Sequence, residues 1–334
     1  MAVRLEPHDE YTHEVGPESN FNESMYFNVF DPTDHVGGFF RIGNRPNEGT
    51  GEMTCCVYLP DGRVGFMFKR PEVTSNDAFD SAGMRFECIE PFEHLEVSYD
   101  GKLVILEDPL QMADPKKAFT ENPYEQADIK ITYTRVSDMF GGEPDESHEK
   151  PGEEFAKAHY EQLVAGKGSI RVGDDEFEIN GYGLRDHSWG PRFWQAPWYY
   201  RWLTANFGDD FGFMGSRVAR RDGEGSRGGF VWDSDKLHLC REFEISTEWE
   251  GDDTYHRTIS ATIGAGDQEW KVTGTVMNLI PLRNRREDPN TGEMLVTRIS
   301  EGMTEWTLDD GRVGYGLSEY LDQIIDDEPV GIAE

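Results

Sequence analysis

The chain has 334 residues, long enough for two domains of ordinary size. Its 65 acidic residues against 32 basic ones give a formal net charge of −33, which excludes a general binder of nucleic acid or anionic membrane, since both need basic surface. A hydrophobic share of 37% with 12% aromatic residues excludes disorder, and no apolar run approaches the length of a membrane span.

The first residues, Met-Ala-Val-Arg-Leu-Glu-Pro-His-Asp-Glu, lack the apolar core of a secretory signal. Residues 1 to about 24 are polar without a clear period and read as an irregular arm. Cys55, Cys56, Cys88 and Cys240 form no CxxC pair, so reduced thiols and a cytoplasmic location are expected. His94, His159, His238 and His256 show no ligand spacing. Neither a metal nor a cofactor is therefore expected.

From Gly37 onward the pattern is β. Residues 38–42 and 52–59 read as strands, and Pro60-Asp61-Gly62 turns the second into residues 63–69, where Val64, Phe66 and Phe68 alternate. Residues 84–89, 94–99, 102–106 and 128–136 follow in the same manner. A proline-bearing loop is expected over 108–124, and a Gly-, Pro- and acid-rich mobile loop over 138–153. Residues 154–164 read as a helix with a weak apolar face. A hairpin through Gly173-Asp174-Asp175 then leads to residue 181.

The β pattern resumes at Tyr199 and continues to Leu321, with turns at Gly208-Asp209-Asp210, Asp233-Ser234-Asp235 and Asp309-Asp310-Gly311. A short helical tendency is read over 320–325. The two sets of roughly eight strands each match small antiparallel barrels, a size that encloses a ligand. No P-loop and no GxGxxG after a strand occurs, which argues against a nucleotide-binding α/β fold.

Between the two sets lies Gly181-Tyr-Gly-Leu-Arg-Asp-His-Ser-Trp-Gly190. It sets Asp186 beside His187, with glycines for close backbone approach or sharp bending. Four of the eight tryptophans, Trp189, Trp194, Trp198 and Trp202, fall within fourteen residues. A carboxyl enclosed by such rings is desolvated, and one that keeps its proton is a usable general acid. The aromatic faces would stabilise a developing carbocation. A plainer reading also fits. Asp186 and Arg185 would make structural hydrogen bonds, His187 would fill a polar gap, and the rings would be barrel core. Arg185 and Arg192 flank the acid and are possible partners for it. On the last strand Glu319 and Tyr320 either reach a lumen or close its end. Gly-x-Ser-x-Gly is absent around Ser188, against a serine hydrolase.

The motif, with Pro191-Arg192 and residues 198–207 after it, resembles the hydroxyneurosporene synthase (carotenoid 1,2-hydratase) and AttH-like superfamily. The segments at residues 24–31, 40–46 and 314–320 are similar too. The resemblance implies an all-β fold of two tandem lipocalin-like barrels, here divided as residues 1–192 and 193–334. It implies that Asp186 matches the aspartate of an Asp-His-Asn-Trp-Gly type motif that donates a proton in the hydratases, with Ser188 standing where they carry Asn. Related fungal proteins promote Diels–Alder cyclisations by shaping a pocket. The expectation is a cofactor-independent, acid-catalysed lyase, isomerase or cyclase for an apolar isoprenoid- or steroid-like compound. Asp186 would be the acid and His187 its orienter or relay. Trp189, Trp194, Trp198, Tyr199, Trp202, Glu319 and Tyr320 would contact the substrate. The alternative is a lipocalin-like carrier that performs no chemistry.

Overall fold

The structure is a computed structural model that describes residues 3–144, 158–252, 254–287 and 292–332. It is all-β, with two large sheets that each curl like a barrel. By contacts the chain divides into one unit of residues 1–108 and 119–193, and a second of residues 109–118 and 194–334.

The first unit's barrel strands, in chain order, are β1 (Phe21–Asp31), β2 (Val36–Arg45), β3 (Thr50–Tyr58), β4 (Val64–Lys69), β5 (His94–Leu106), β6 (Tyr124–Arg135), β7 (Ala158–Val172) and β8 (Asp175–Pro191). Each pairs antiparallel with the next, and β8 returns to β1, so the ring closes. An up-and-down barrel of eight strands leaves an interior that side chains can fill. Here Met25, Phe27, Val29, Phe40, Ile42, Met53, Cys55, Leu95, Ile131, Tyr133 and Val164 belong to the buried cluster that fills it. All four cysteines are free thiols, and Cys55 joins this cluster.

The second unit's strands are β9 (Tyr199–Asn206), β10 (Phe211–Ala219), β11 (Gly225–Asp233), β12 (Lys236–Cys240), β13 (Glu242–Glu250), β14 (Tyr255–Ala265), β15 (Gln268–Glu287), β16 (Met294–Leu308) and β17 (Val313–Ile325). Sequence neighbours pair throughout except β12 with β13, and β9 pairs β17. The core contains Leu203, Phe213, Phe243, Ile259, Trp306 and Tyr320. In it the His256 ring stacks on Tyr320 at 4.0 Å, and its Nε2 lies 3.0 Å from the Ser318 hydroxyl.

Burial, helped by the Arg201 charge, pulls His256 down to about 3. The folded ring thus refuses a proton that the unfolded chain accepts near pH 6.5. The stability this neutral ring supports is complete above about pH 6.5 and is lost as pH falls toward 3. Urea midpoints of the native protein and of His256→Gln, measured between pH 7.5 and 4, are expected to converge as the pH drops.

Two expected helices are strands. Residues 158–164 lie in β7, and 320–325 lie in β17. Residues 160–164 and 320–323 within them are buried on both faces, which erases the two-residue alternation that marks a strand. Residues 154–157 of that expectation lie outside the described residues. The expected loop over 108–124 contains a 3-10 turn at Pro109–Ala113 and a helix at Pro115–Glu121. Of the loop expected over 138–153, residues 138 and 139 have no regular structure, Phe140–Pro144 is a strand, and 145–153 lie outside the described residues. No helix among the described residues is long and apolar enough to cross a membrane.

Candidate functional site

The motif forms the second half of β8, between β7 and β1. Two of its glycines are dictated by β1. A Cβ on Gly181 would sit 2.0 Å from the Phe30 carbonyl oxygen, and one on Gly183 would sit 1.9 Å from that of Asn28. The gap admits the Asn28 side chain, whose Oδ1 accepts the Leu184 amide at 2.8 Å.

Strand alternation then sends the motif's polar side chains to opposite faces. Arg185 and His187 point inward and are fully buried at one end of the barrel. Asp186 lies on the outer face and is half-buried.

The inward set is completed by the arm. A 3-10 turn at Pro7–Glu10 brings Asp9 and Glu10 into the barrel end. Arg185 makes a two-pronged contact with Glu10, its Nη1 to Oε1 at 2.5 Å and its Nη2 to Oε2 at 2.9 Å. Its Nε donates to Gln162 Oε1 at 2.9 Å. Arg185 is therefore the partner of Glu10 rather than of Asp186. Burial pushes the Glu10 carboxyl up, but Arg185 and Tyr160 outweigh it and hold it below the ordinary carboxylate range. The Tyr160 hydroxyl donates to Glu10 Oε1 at 2.8 Å and lies 3.3 Å from His187 Nδ1. On its other side His187 Nε2 is 2.9 Å from Glu23 Oε1. His13 Nδ1 reaches the same oxygen at 2.7 Å, and the Asn76 amide and His13 backbone N–H hold Oε2. Burial opposes ionisation of Glu23, yet the bonds from His13 and His187 bring it down to about 2. The Trp189 ring stacks on His13 at 4.0 Å.

The outward set forms a row across five strands, with Glu161, Asp186, Tyr26, Arg41 and Thr54 directly opposite one another in turn. Carboxylate oxygens of Glu161 and Asp186 and a ring nitrogen of the exposed His159 lie within 4.8 Å of one another. Among the described residues, no hydrogen bond to the Asp186 carboxyl is seen. Arg192 is near enough to feel its charge. Burial, with Arg41 beside it, lowers Arg192 to about 10. Tyr26 packs on Phe39 at 6.0 Å, and Phe39 on Tyr58 at 6.3 Å, so an aromatic strip borders the acid.

The remaining candidates belong to the second unit. Tyr199 and Tyr320 flank the buried Arg201, which pairs with Asp322 at 3.0 Å. Tyr320 gives its hydroxyl contact to Thr247 and is part of the core. Trp194, Trp198 and Trp202 are half-buried, with Arg221 over the Trp198 ring at 4.6 Å. Trp202 stands opposite Glu319, and Glu319 stands opposite Glu301 and accepts the Tyr200 hydroxyl.

Sequence reasoning passed over Glu10, His13, Glu23, Tyr160 and Glu161. A fixed cation in an apolar strand, Arg185, was the available sign that a carboxylate had to be brought to it.

A family model described as "Domain of unknown function (DUF7064)" matches residues 6–324. The chain belongs to the DUF7064 family. No curated protein matches it. Among solved structures, this DUF7064 chain is similar to a protein described as an AttH from Nitrosomonas europaea, at 13% identity and a TM-score of 0.57 over 96% of each chain. Kievitone hydratase from Nectria haematococca matches at 10% identity and a TM-score of 0.56, over 96% of this chain and 93% of that one. CghA matches at 10% identity and a TM-score of 0.52, over 92% of this chain and 89% of its own. At such identities the likeness is one of fold. The all-β tandem architecture expected from the strand count is thus the observed one.

Proposed function

We propose that the chain is a lyase or isomerase that moves a proton at Asp186, on an apolar substrate of isoprenoid or steroid size. The observation that carries this reading is the outer-face cluster of Asp186, Glu161 and His159. It joins two carboxyls and an imidazole, and Asp186 within it stays half-exposed. A positioned carboxyl that gives or takes a proton accelerates such steps by about 10²–10⁴-fold. Asp186 serves as general acid. Glu161, on the adjacent strand, receives or returns the proton, and Arg192 holds the local charge. Tyr26, itself buried, stands directly across from Asp186 on the next strand. Donor and acceptor are side chains, so the step is proposed as cofactor-independent.

His187 enters this reading as a positioning residue. Its contacts with Glu23 and Tyr160 lock β8 from the inner face and fix the strand that carries Asp186. One structure that shares the fold supports the reading by its name alone: it is a hydratase, and addition of water to a double bond begins with a proton transfer. The packed barrel interior speaks against a carrier that holds its ligand there.

Binding and turnover of the compounds extracted from the purified protein test the proposal. Asp186→Asn should bind them as the native protein does and fail to convert them. A carrier would bind them in both forms and convert them in neither.

A further inference from the structure

His13, Glu23 and His187 are three metal-ligating side chains that the proton-transfer reading leaves without a chemical role. Their ligand atoms lie within 4.8 Å of one another. They come from three places: the segment before β1, β1 itself, and β8. Glu23 Oε1 is the meeting point, 2.7 Å from His13 Nδ1 and 2.9 Å from His187 Nε2.

The far nitrogen of each ring faces an acceptor. His13 Nε2 lies 3.2 Å from Asp9 Oδ1. His187 Nδ1 lies 3.3 Å from the Tyr160 oxygen, whose own hydrogen is directed to Glu10. Each ring thus has a use for a hydrogen on its outer nitrogen. A neutral imidazole carries only one hydrogen. With those hydrogens on the outer nitrogens, both inner nitrogens turn lone pairs toward Glu23 Oε1, the arrangement a bound cation would select over the one in which the rings donate to Glu23.

Charge points the same way. Asp9, Glu10 and Glu23 bring three carboxylates into the barrel end; Arg185 pairs with Glu10, and Arg4 reaches Asp9 at 3.5 Å. Glu23 faces the two imidazoles in a site where uncompensated charge is costly. A metal-bound imidazole commonly donates its other N–H to a carboxylate or another oxygen, which fixes its tautomer and orientation. Both rings here have that arrangement.

We propose that His13 Nδ1, Glu23 and His187 Nε2 bind one divalent transition-metal ion, with zinc the best match. Two imidazole nitrogens and a carboxylate oxygen suit zinc, and a water would complete a tetrahedral set. Glu23 and His187 are fully buried, while the rings of Trp189 and Phe79 pack against His13 and His187. The ion is structural. It fastens the arm to the barrel wall and so holds Glu10 against Arg185. The sequence conceals the site because its ligands are 10 and 164 residues apart.

The test uses the full-length protein, stripped with a chelator and titrated with ZnCl2 by calorimetry and by thermal melting. The expected result is one zinc per chain and a melting point raised by the ion. His13→Ala should weaken zinc binding by more than about tenfold, and Asp9→Asn, which keeps all three ligands, by about 10–100-fold. His159→Asn, which alters only the outer-face cluster, should bind zinc as the native protein does. Cobalt(II) in place of zinc should give a visible absorption band that His13→Ala loses. Failure of the native protein to take up either ion at a single site would overturn the proposal without recourse to any variant. So would a His13→Ala protein that binds zinc unchanged, or loss of binding in His159→Asn instead.

Discussion

Glu10→Gln is expected to destabilise the first unit by about 3–5 kcal/mol, because it leaves the Arg185 guanidinium buried without its counter-charge. Both side chains are fully excluded from water, and the two-pronged contact joins a segment at residue 10 to a strand at residue 185. Gln can still accept one hydrogen bond, but it cannot neutralise the charge. Such a loss is a large fraction of the roughly 5–15 kcal/mol that keeps a domain folded. Urea denaturation, followed by the fluorescence of Trp189, should report a fall in midpoint. Arg185→Met alone strands the carboxylate and should cost a similar amount. The double variant should cost clearly less than the two singles added together, since the residues act as one pair. Additive losses would mean that the pair contributes no coupling.

Asp186→Asn should lower turnover by about 10²–10⁴-fold while leaving the affinity for substrate near its native value. Asn keeps the shape and polarity of the side chain but has no proton to give. The residue is half-buried on the outer face and no described residue donates to it, so the fold should tolerate the change. Glu161→Gln should also slow turnover, and by a smaller factor if its part is to return the proton. Circular dichroism of both variants should match the native protein. A rise confined to KM would instead assign Asp186 to binding.

Much of the fold was legible because its strands alternate and its turns carry Asp and Gly. Val64, Phe66 and Phe68, followed around Asp61-Gly62, are one instance, and the Asp309-Asp310-Gly311 turn between β16 and β17 is another. The reading failed where alternation is absent. In β7 every residue from Tyr160 to Val164 is buried, so apolar and polar side chains mix without a two-residue period. That error hid Glu161, which stands directly across from Asp186 only when 158–164 is a strand. Asp186 and His187 were visible as a pair, and their opposite directions follow from strand geometry. The arm was illegible for a different reason. Glu10 and His13 have no local pattern, because partners of theirs lie on β1, β7 and β8. Only the tertiary fold brings those charges together.

The central claim, that Asp186 transfers a proton to substrate carbon, is tested most directly in D2O. Native protein and Asp186→Asn are each incubated with the apolar compounds extracted from the purified protein, and the products are examined by mass spectrometry. The account predicts a product carrying carbon-bound deuterium with the native protein and none with Asp186→Asn. A product formed by the native protein without deuterium on carbon, or labelled equally by Asp186→Asn, would contradict it.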